Sequence, residues 1–437
     1  MVTLGTILKA ASAVMGGWLL FQFVYQLILT FFGFTRKTKD YQDHNPQSRF
    51  LVLVPAHNEE AVIGDIIENL QHMDYPEELY DFYIIADNCT DRTAEVARNL
   101  GAKVIETRKD GPNAPTGKPI ALKKALERLG DYEKQYDLLM IFDADNLIDR
   151  NMFREVNSQF LDKGRPDLIQ CYLGCKNKDG IIPWYYYITF TVSNRFVQLA
   201  KQRLHLNCGV GGTGFAISTS YLHDRGGWTS MSLTEDLEIQ VEAILSGRRI
   251  LWNHNVRVYD EKPVKLMASI RQQIRWGQGR WYVFIRNFIP CFRALFTGKI
   301  SFWEFLSVFT CMAGVSCYVA ILLQFIFTAL LYIPAFGVQP RPFGMDVPTA
   351  VRSILLFAYS YLGVFYVADW MDNRIGFSLR SIPKMIAGLA VNITVCVVNQ
   401  IVGLIRFRHQ QTWVKTEHSL TRSEAQNALG TVFQKVS

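Results

Sequence analysis

The chain has 437 residues, 49% of them hydrophobic and 19% charged, with a formal net charge of +7. That length accommodates one large soluble domain with several membrane spans, or two soluble domains. The basic residues concentrate in 246–286 and beside apolar runs instead of forming one solvent-exposed tract, which argues against a nucleic-acid partner and for a membrane surface.

In chain order, residues 10–34 carry no charged side chain, a run longer than the roughly 20 residues that cross a bilayer. A secretory signal would be shorter and end in a small-residue cleavage site, so the run predicts a membrane helix. Arg36, Lys37 and Lys39 follow it, which puts the next domain in the cytoplasm and the N-terminus outside. Comparable runs return only near the C-terminal end, at 305–336, 353–370 and 384–405. The expected plan is a membrane helix and linker (1–46), a soluble cytoplasmic domain (47–262), amphipathic interfacial helices (263–302), a membrane region (303–408) and a cytoplasmic tail (409–437). The eight Cys are scattered without metal-type spacing, as reduced small apolar residues would be.

Within the soluble part, FLVLVPA reads as a strand stopping at Pro55, and apolar residues at helical spacing follow Glu59. FYIIAD with the helix after it, AKVIET, IALKKALERL and DLLMIFDADN continue the alternation, which predicts a mostly parallel sheet covered by helices. Ligands of such sheets bind beyond the carboxyl ends of the strands, and Asn58, Glu59, Asp87, Asp143 and Asp145 fall there. Asp143 and Asp145 flank an Ala that points the other way, and they suit Mg2+ or Mn2+ bridging to a diphosphate; a plain turn after a strand would also use Asp. Asp87 belongs either to that mouth or to a cap of the helix after Asp91. Lys118 stands at a Gly-Lys helix start that favours an anion. Glu235 and Asp236 open the helix of SLTEDLEIQVEAILSG, where the helix dipole alone would favour acids. The preceding NCGVGGTGFAIS, with Gly212, Thr213 and Gly214, is too Gly-rich for an ordinary strand and lets backbone approach a ligand. RQQIRWGQGRW brings Gln272, Arg275 and Trp276 on an amphipathic segment just before the membrane region.

Taken in order over about residues 51–282, VPAHNEE, ADNCTD, GK, DAD, GGTG, TED and QQIRW resemble the membrane-integrated family 2 glycosyltransferases, the group of cellulose, chitin, hyaluronan and poly-N-acetylglucosamine synthases. The resemblance implies a GT-A-type α/β domain inserted between an N-terminal transmembrane helix and a C-terminal transmembrane and interfacial helix bundle. It implies that Pro55, His57, Asn58, Glu59, Asp87, Lys118 and Asp143 hold the nucleotide sugar and that Asp143 and Asp145 hold Mg2+ or Mn2+. Asp236, beside Glu235, would be the general base of an inverting transfer. Gln272, Arg275 and Trp276 match the Q-x-x-R-W signature. Arg275 suits the departing diphosphate, while Trp276, with Gly212, Thr213 and Gly214, suits the acceptor sugar; an interfacial anchor would explain Trp276 as well. Trp413, Thr416 and His418 in WVKTEH look like a divergent gating loop over the nucleotide.

The expected function is a processive, metal-dependent polysaccharide synthase, multi-pass in the cell membrane, that takes a UDP-sugar donor and passes a growing β-linked polysaccharide outward. GGTG leans the sugar towards glucose. Membrane lipid surrounds it, and accessory export subunits or a homo-oligomer are further partners compatible with the sequence. Three alternatives stay open: a single transfer to a lipid acceptor, as in ceramide glucosyltransferases; a chitin- or hyaluronan-type synthase using UDP-N-acetylglucosamine; and a non-catalytic scaffold, against which the intact acids and Arg275 speak. A final membrane crossing would strand the tail outside, and Asn392, Asn399 and Gln400 lie within it, so 384–405 is expected to be broken or re-entrant.

Overall fold

The computed structural model describes residues 4–111, 114–178, 180–312, 362–373 and 379–410. Helix α1 (Leu4–Gly33) comes first. Then β1 (Phe50–Ala56), α2 (Ile63–Gln71), β2 (Tyr80–Asp87), α3 (Thr93–Asn99), β3 (Lys103–Thr107), α4 (Lys118–Leu129) and β4 (Leu138–Ile141) alternate as the sequence predicts. They are followed by β5 (Leu147–Ile148), α5 (Met152–Asp162), β6 (Leu168–Cys175), α6 (Ile181–Ser193), a π-helical stretch (Asn194–Leu199) running into α7 (Ala200–Arg203), and β7 (Phe215–Ser218). After these come α8 (Thr219–Asp224), α9 (Glu235–Leu245), β8 (Ile250–Asp260), α10 (Leu266–Phe296), α11 (Phe302–Met312), helical residues 362–373 and α12 (Ile382–Arg406).

The strands form one eight-stranded sheet in the order β3-β2-β1-β4-β7-β6-β8-β5. Pairs β1–β2, β1–β4, β2–β3 and β6–β8 are parallel, while β7 runs antiparallel between β4 and β6 and β5 lies antiparallel on β8. Side chains alternate across the pleat. Thus Phe50, Val52 and Val54 join the core under α2 and α5, and Leu51 and Leu53 join the core shared with α4 and α9. All five are fully buried, which is why a parallel strand covered on both faces reads as a continuous apolar run. In α2, Ile63, Ile66, Ile67 and Leu70 repeat at helical spacing and are buried. Because Ala56 pairs with Ala86 and Leu53 with Ile141, residues just past β1, β2 and β4 emerge at one sheet edge.

The helices beyond the sheet depart from expectation in two places. Residues expected as several interfacial helices include a single 31-residue helix, α10, which carries Pro290 within it. The expected break in 384–405 is absent, since α12 is one continuous helix. Two of the polar side chains that seemed to demand a break are partnered, Asn399 donating to Gln273 Oε1 on α10 at 3.1 Å and Asn392 Oδ1 accepting from Cys396 Sγ at 3.1 Å. Trp281 on α10 donates to the Gln400 main-chain carbonyl at 3.1 Å; Gln400 Oε1 and Asn399 Oδ1 stay buried without a partner among the described residues. Gly277 and Gly403 make this approach possible, because a Cβ on either would meet the opposite backbone at 2.7 Å. By length and composition alone, residues 5–33 and 379–406 could each cross a membrane. The end of the 362–373 segment docks on the sheet domain through buried charges, with Asp372 bound by Arg195 and by His254. Every cysteine among the described residues is free. Trp413, Thr416 and His418 lie outside the described residues.

Candidate active site

The shared edge of β1, β2 and β4 opens into a cavity of about 1380 Å³. On the side formed by the strand ends, His57 Nδ1 hydrogen-bonds the Asp87 carbonyl at 2.7 Å, and Asp87 Oδ1 accepts from Thr107 Oγ1 and Asn88 Nδ2, both at 2.8 Å. Asp87 is buried and does not cap α3, which starts at Thr93 with no side-chain cap hydrogen bond. Asn58 and Asn88 follow β1 and β2 in the left-handed region, at φ +57° and +50°, a conformation that Asn tolerates better than most residues.

Asp143 and Asp145 follow β4. The Asp143 N–H is pinned by Asn146 Oδ1 (3.0 Å) and Thr213 Oγ1 (3.1 Å), and Asp145 Oδ2 accepts from the Glu261 N–H at 2.8 Å. Lys118, opening α4, donates to Asp143 Oδ1 and to the Gly212 carbonyl, both at 2.6 Å, and lies 4.0 Å from Glu235 Oε1. Among the described residues no three His, Cys, Asp or Glu gather as a closed metal cage.

The Gly-rich loop crosses the cavity floor, held by three glutamines. Gln198 Oε1 accepts from Gly209 N–H (2.7 Å), Gln240 Oε1 from Val210 N–H (3.0 Å) and Gln170 Oε1 from Gly211 N–H (2.9 Å). Gly212, at φ +79°, brings this loop against α9, and a Cβ there would sit 3.3 Å from Asp236 Oδ2. On the other side of Asp236 runs α10, whose Gly279 lies so close to Thr234 that a Cβ would clash with its side chain. Gln272 accepts from Tyr186 Oη at 2.7 Å, and Trp276 packs edge-on to Tyr186 with centroids 6.2 Å apart. Arg275 lines the cavity and makes no hydrogen bond or ion pair among the described residues.

Burial drives the electrostatics of this cluster. It pushes the Glu235 carboxyl up to about 7, with Lys118 pulling it back and Asp236 adding to the rise. It raises Asp236 too, against the Leu237 N–H bond and the charges of Lys118, Arg280 and Arg275. Burial also works against the Lys118 ammonium, but Asp143 and Glu235 outweigh it and hold its pKa above the ordinary range. Two acids above their usual range beside three cations form a site where a proton is held near neutrality.

Most of the sequence-selected residues meet in this one cavity: Pro55, His57, Glu59, Asp87, Lys118, Asp143, Asp145, Gly212, Thr213, Glu235, Asp236, Gln272, Arg275 and Trp276 all line it. Asn58 and Gly214 do not. Asn58 turns its Oδ1 to the Thr90 N–H (2.7 Å) and so braces the loop after β2, and Gly214 is packed beneath Val258. Sequence reasoning missed the loop-holding glutamines, Tyr186, Arg280 and Lys201. Isolated polar residues in apolar or helical stretches carry no motif, although Gln22 and Tyr25, which interrupt α1 and also line the cavity, were a readable signal. Gln410, the last described residue, accepts from the Leu233 N–H at 2.9 Å, so the chain leaves the described region beside the start of α9.

Residues 46–279 match the family model described as glycosyltransferase like family 2. The chain is 26% identical over 265 residues to the probable glycosyltransferase YdaM of Bacillus subtilis, covering 59% of this chain and 61% of that one, so it spans less than two thirds of that relative. It is 24% identical over 399 residues to the beta-monoglucosyldiacylglycerol synthase of Synechocystis, covering 87% and 77%. It is 21% identical over 318 residues to the poly-beta-1,6-N-acetyl-D-glucosamine synthase of Staphylococcus epidermidis, covering 69% and 74%. Among solved structures, the mannosyltransferase PcManGT of Pyrobaculum calidifontis superposes with a TM-score of 0.56 at 15% identity, over 90% of this chain and 99% of that one, a likeness of fold. The helix-covered sheet is a GT-A fold, and since the family model covers more than half of its length, the chain belongs to glycosyltransferase family 2.

Proposed function

We propose that the chain is an inverting hexosyltransferase that uses a UDP-sugar, with UDP-glucose as the first candidate, and builds a β-linked polysaccharide that leaves between its apolar helices. The observation carrying this reading is the continuity of the cavity. From the carboxylates of α9 it continues past polar side chains set in apolar helices, Thr310 on α11 and Asn392 and Asn399 on α12. A saccharide hydrogen-bonds such groups, and a purely apolar acceptor would leave them unmatched.

In this reading His57, Glu59 and Asp87 receive the nucleoside. Asp236 takes the proton of the acceptor hydroxyl while that oxygen bonds to the anomeric carbon and the bond from that carbon to the diphosphate breaks, inverting the centre. Arg275, without a protein partner among the described residues, is available to the departing diphosphate. Two carboxylates, Asp143 and Asp145, fit Mg2+ or Mn2+, which commonly take one or two protein carboxylates with the remaining positions filled by phosphate and water. Such an ion would neutralise diphosphate charge. PcManGT is described with GDP-Man and Mn2+, which supports a nucleotide sugar and a divalent ion. The departure of the chain beside α9 at Gln410 supports a gating role for Trp413, Thr416 and His418. A cytoplasmic domain at 47–262 and a multi-pass placement in the cell membrane complete the reading.

A second reading, single transfer to a lipid, is favoured by the alignment over 399 residues with a protein named beta-monoglucosyldiacylglycerol synthase. Incubating the purified protein in lipid with a panel of UDP-sugars and GDP-mannose tests both. Polymer supports the first, glycolipid alone the second, and no transfer from any donor would refute the two together.

A further inference from the structure

The cavity has a lobe that this transfer chemistry does not use. It lies where α1 passes the π-helical stretch and α7. Gln22 and Tyr25 line it from α1, three residues apart and therefore on one side of the helix, and Lys201 lines it from α7. Lys201 is 4% exposed, and among the described residues its ammonium has neither a hydrogen bond nor an ion pair. Gln22 Nε2 and Tyr25 Oη are likewise buried without a partner.

These three groups share a chemistry. An ammonium and an amide nitrogen donate only, and a phenol hydroxyl can donate. Nearby acceptor oxygens are already engaged, Gln198 by Gly209 and Gln240 by Val210. Glu304, the carboxylate whose charge reaches Lys201, accepts from the Asn207 N–H at 2.8 Å and forms no ion pair with it. A buried ammonium without an ion pair is unfavourable, so a lobe in which this cation stands beside two further unpartnered donors calls for an oxyanion from outside. The neighbouring turns of α1 expose Phe23, Val24, Leu27 and Ile28, an apolar strip along which acyl chains would lie.

We infer that Lys201, Tyr25 and Gln22 form a subsite for the phosphoryl oxygens of an anionic lipid whose acyl chains lie along α1. The inference goes beyond the transfer reading above and concerns a different part of the same cavity.

Binding of short-chain phosphatidylglycerol, short-chain diacylglycerol and glycerol phosphate to the full chain in detergent, without donor, tests it. Wild type should prefer phosphatidylglycerol over diacylglycerol by about tenfold, as a charge-assisted contact provides. Lys201→Gln should erase the preference and Lys201→Arg should retain it. Should Lys201→Gln fail to fold, Tyr25→Phe leaves the buried cation in place and should lower the preference about threefold. Equal affinities in wild type, or an undiminished preference in the variants, would overturn the subsite and leave Lys201 as a structural counter-charge for Glu304. Glycerol phosphate binding as tightly as the phospholipid would overturn the lipid source. Because no turnover is measured, failed transfer would sink the reading above while leaving this binding result intact.

Discussion

The two halves of the cavity are built by opposite rules. On the side proposed above to hold the donor, polar atoms are already bonded to one another: Asp87 to Thr107 and Asn88, Asp143 to Lys118, Asp145 to the Glu261 N–H. These residues sit at adjacent strand ends, so the sheet sets their spacing. On the other side, Lys201, Tyr25 and Gln22 come from helices distant in sequence, and the Lys201 ammonium, Tyr25 Oη and Gln22 Nε2 lack protein partners among the described residues. The donor wall is organised before its ligand arrives, which suits positioning of a diphosphate. The other wall is completed by whatever enters it, which suits selection between ligands.

The largest effect should come from the group at the junction of the halves. Asp236→Asn is expected to lower transfer by about 10²–10⁴-fold while nucleotide affinity stays near wild type, as measured by turnover beside equilibrium binding; wild-type turnover would move the base elsewhere. Next, Asp145→Ala or removal of divalent ions should weaken donor binding by about 10²-fold and leave acceptor binding alone, so an equal loss on both sides would erase the division between the halves.

A smaller effect separates the walls mechanically. Gly279→Ala places a methyl group against Thr234, forcing α10 away from the start of α9 at a cost of about 1–3 kcal/mol. Turnover should fall more than donor affinity, whereas Gly17→Ala, with open space around it, should change neither. The smallest is a pH effect. Glu235 holds its proton up to about 7 in the folded chain against an ordinary 4.5, so the folded state binds more protons between those values. Its contribution to stability is complete below about pH 4.5 and is lost as pH rises through about 7. Glu235→Gln should flatten that part of a melting-temperature profile, and an unchanged slope would assign the titration to another group.

How much was legible follows the same division. Strands β1, β2 and β4 could be read from FLVLVPA, FYIIAD and DLLMIF because a strand buried on both faces needs an unbroken apolar run. Their terminal acids followed from the edge at which parallel strands finish. Asn58, selected with the nucleotide-binding residues, does not line the cavity, since spacing alone does not reveal that a left-handed turn directs its amide oxygen to Thr90. The continuous α12 was misjudged because hydropathy counts Asn399 as a defect, while its partner Gln273 lies 126 residues away.

By itself, then, the sequence determined the alternating sheet, the acids at its edge and the apolar helices, because strand burial, turn chemistry and hydropathy act over a few neighbouring residues. Tertiary structure alone decided which helices meet. Contacts at Gly277, Gly279 and Gly403 draw α10 between α9 and α12, and α1 comes to rest on the stretch before Lys201. Such pairings depend on surfaces complementary across hundreds of residues, for which local periodicity carries no signal, and they create the lobe where donors without partners gather.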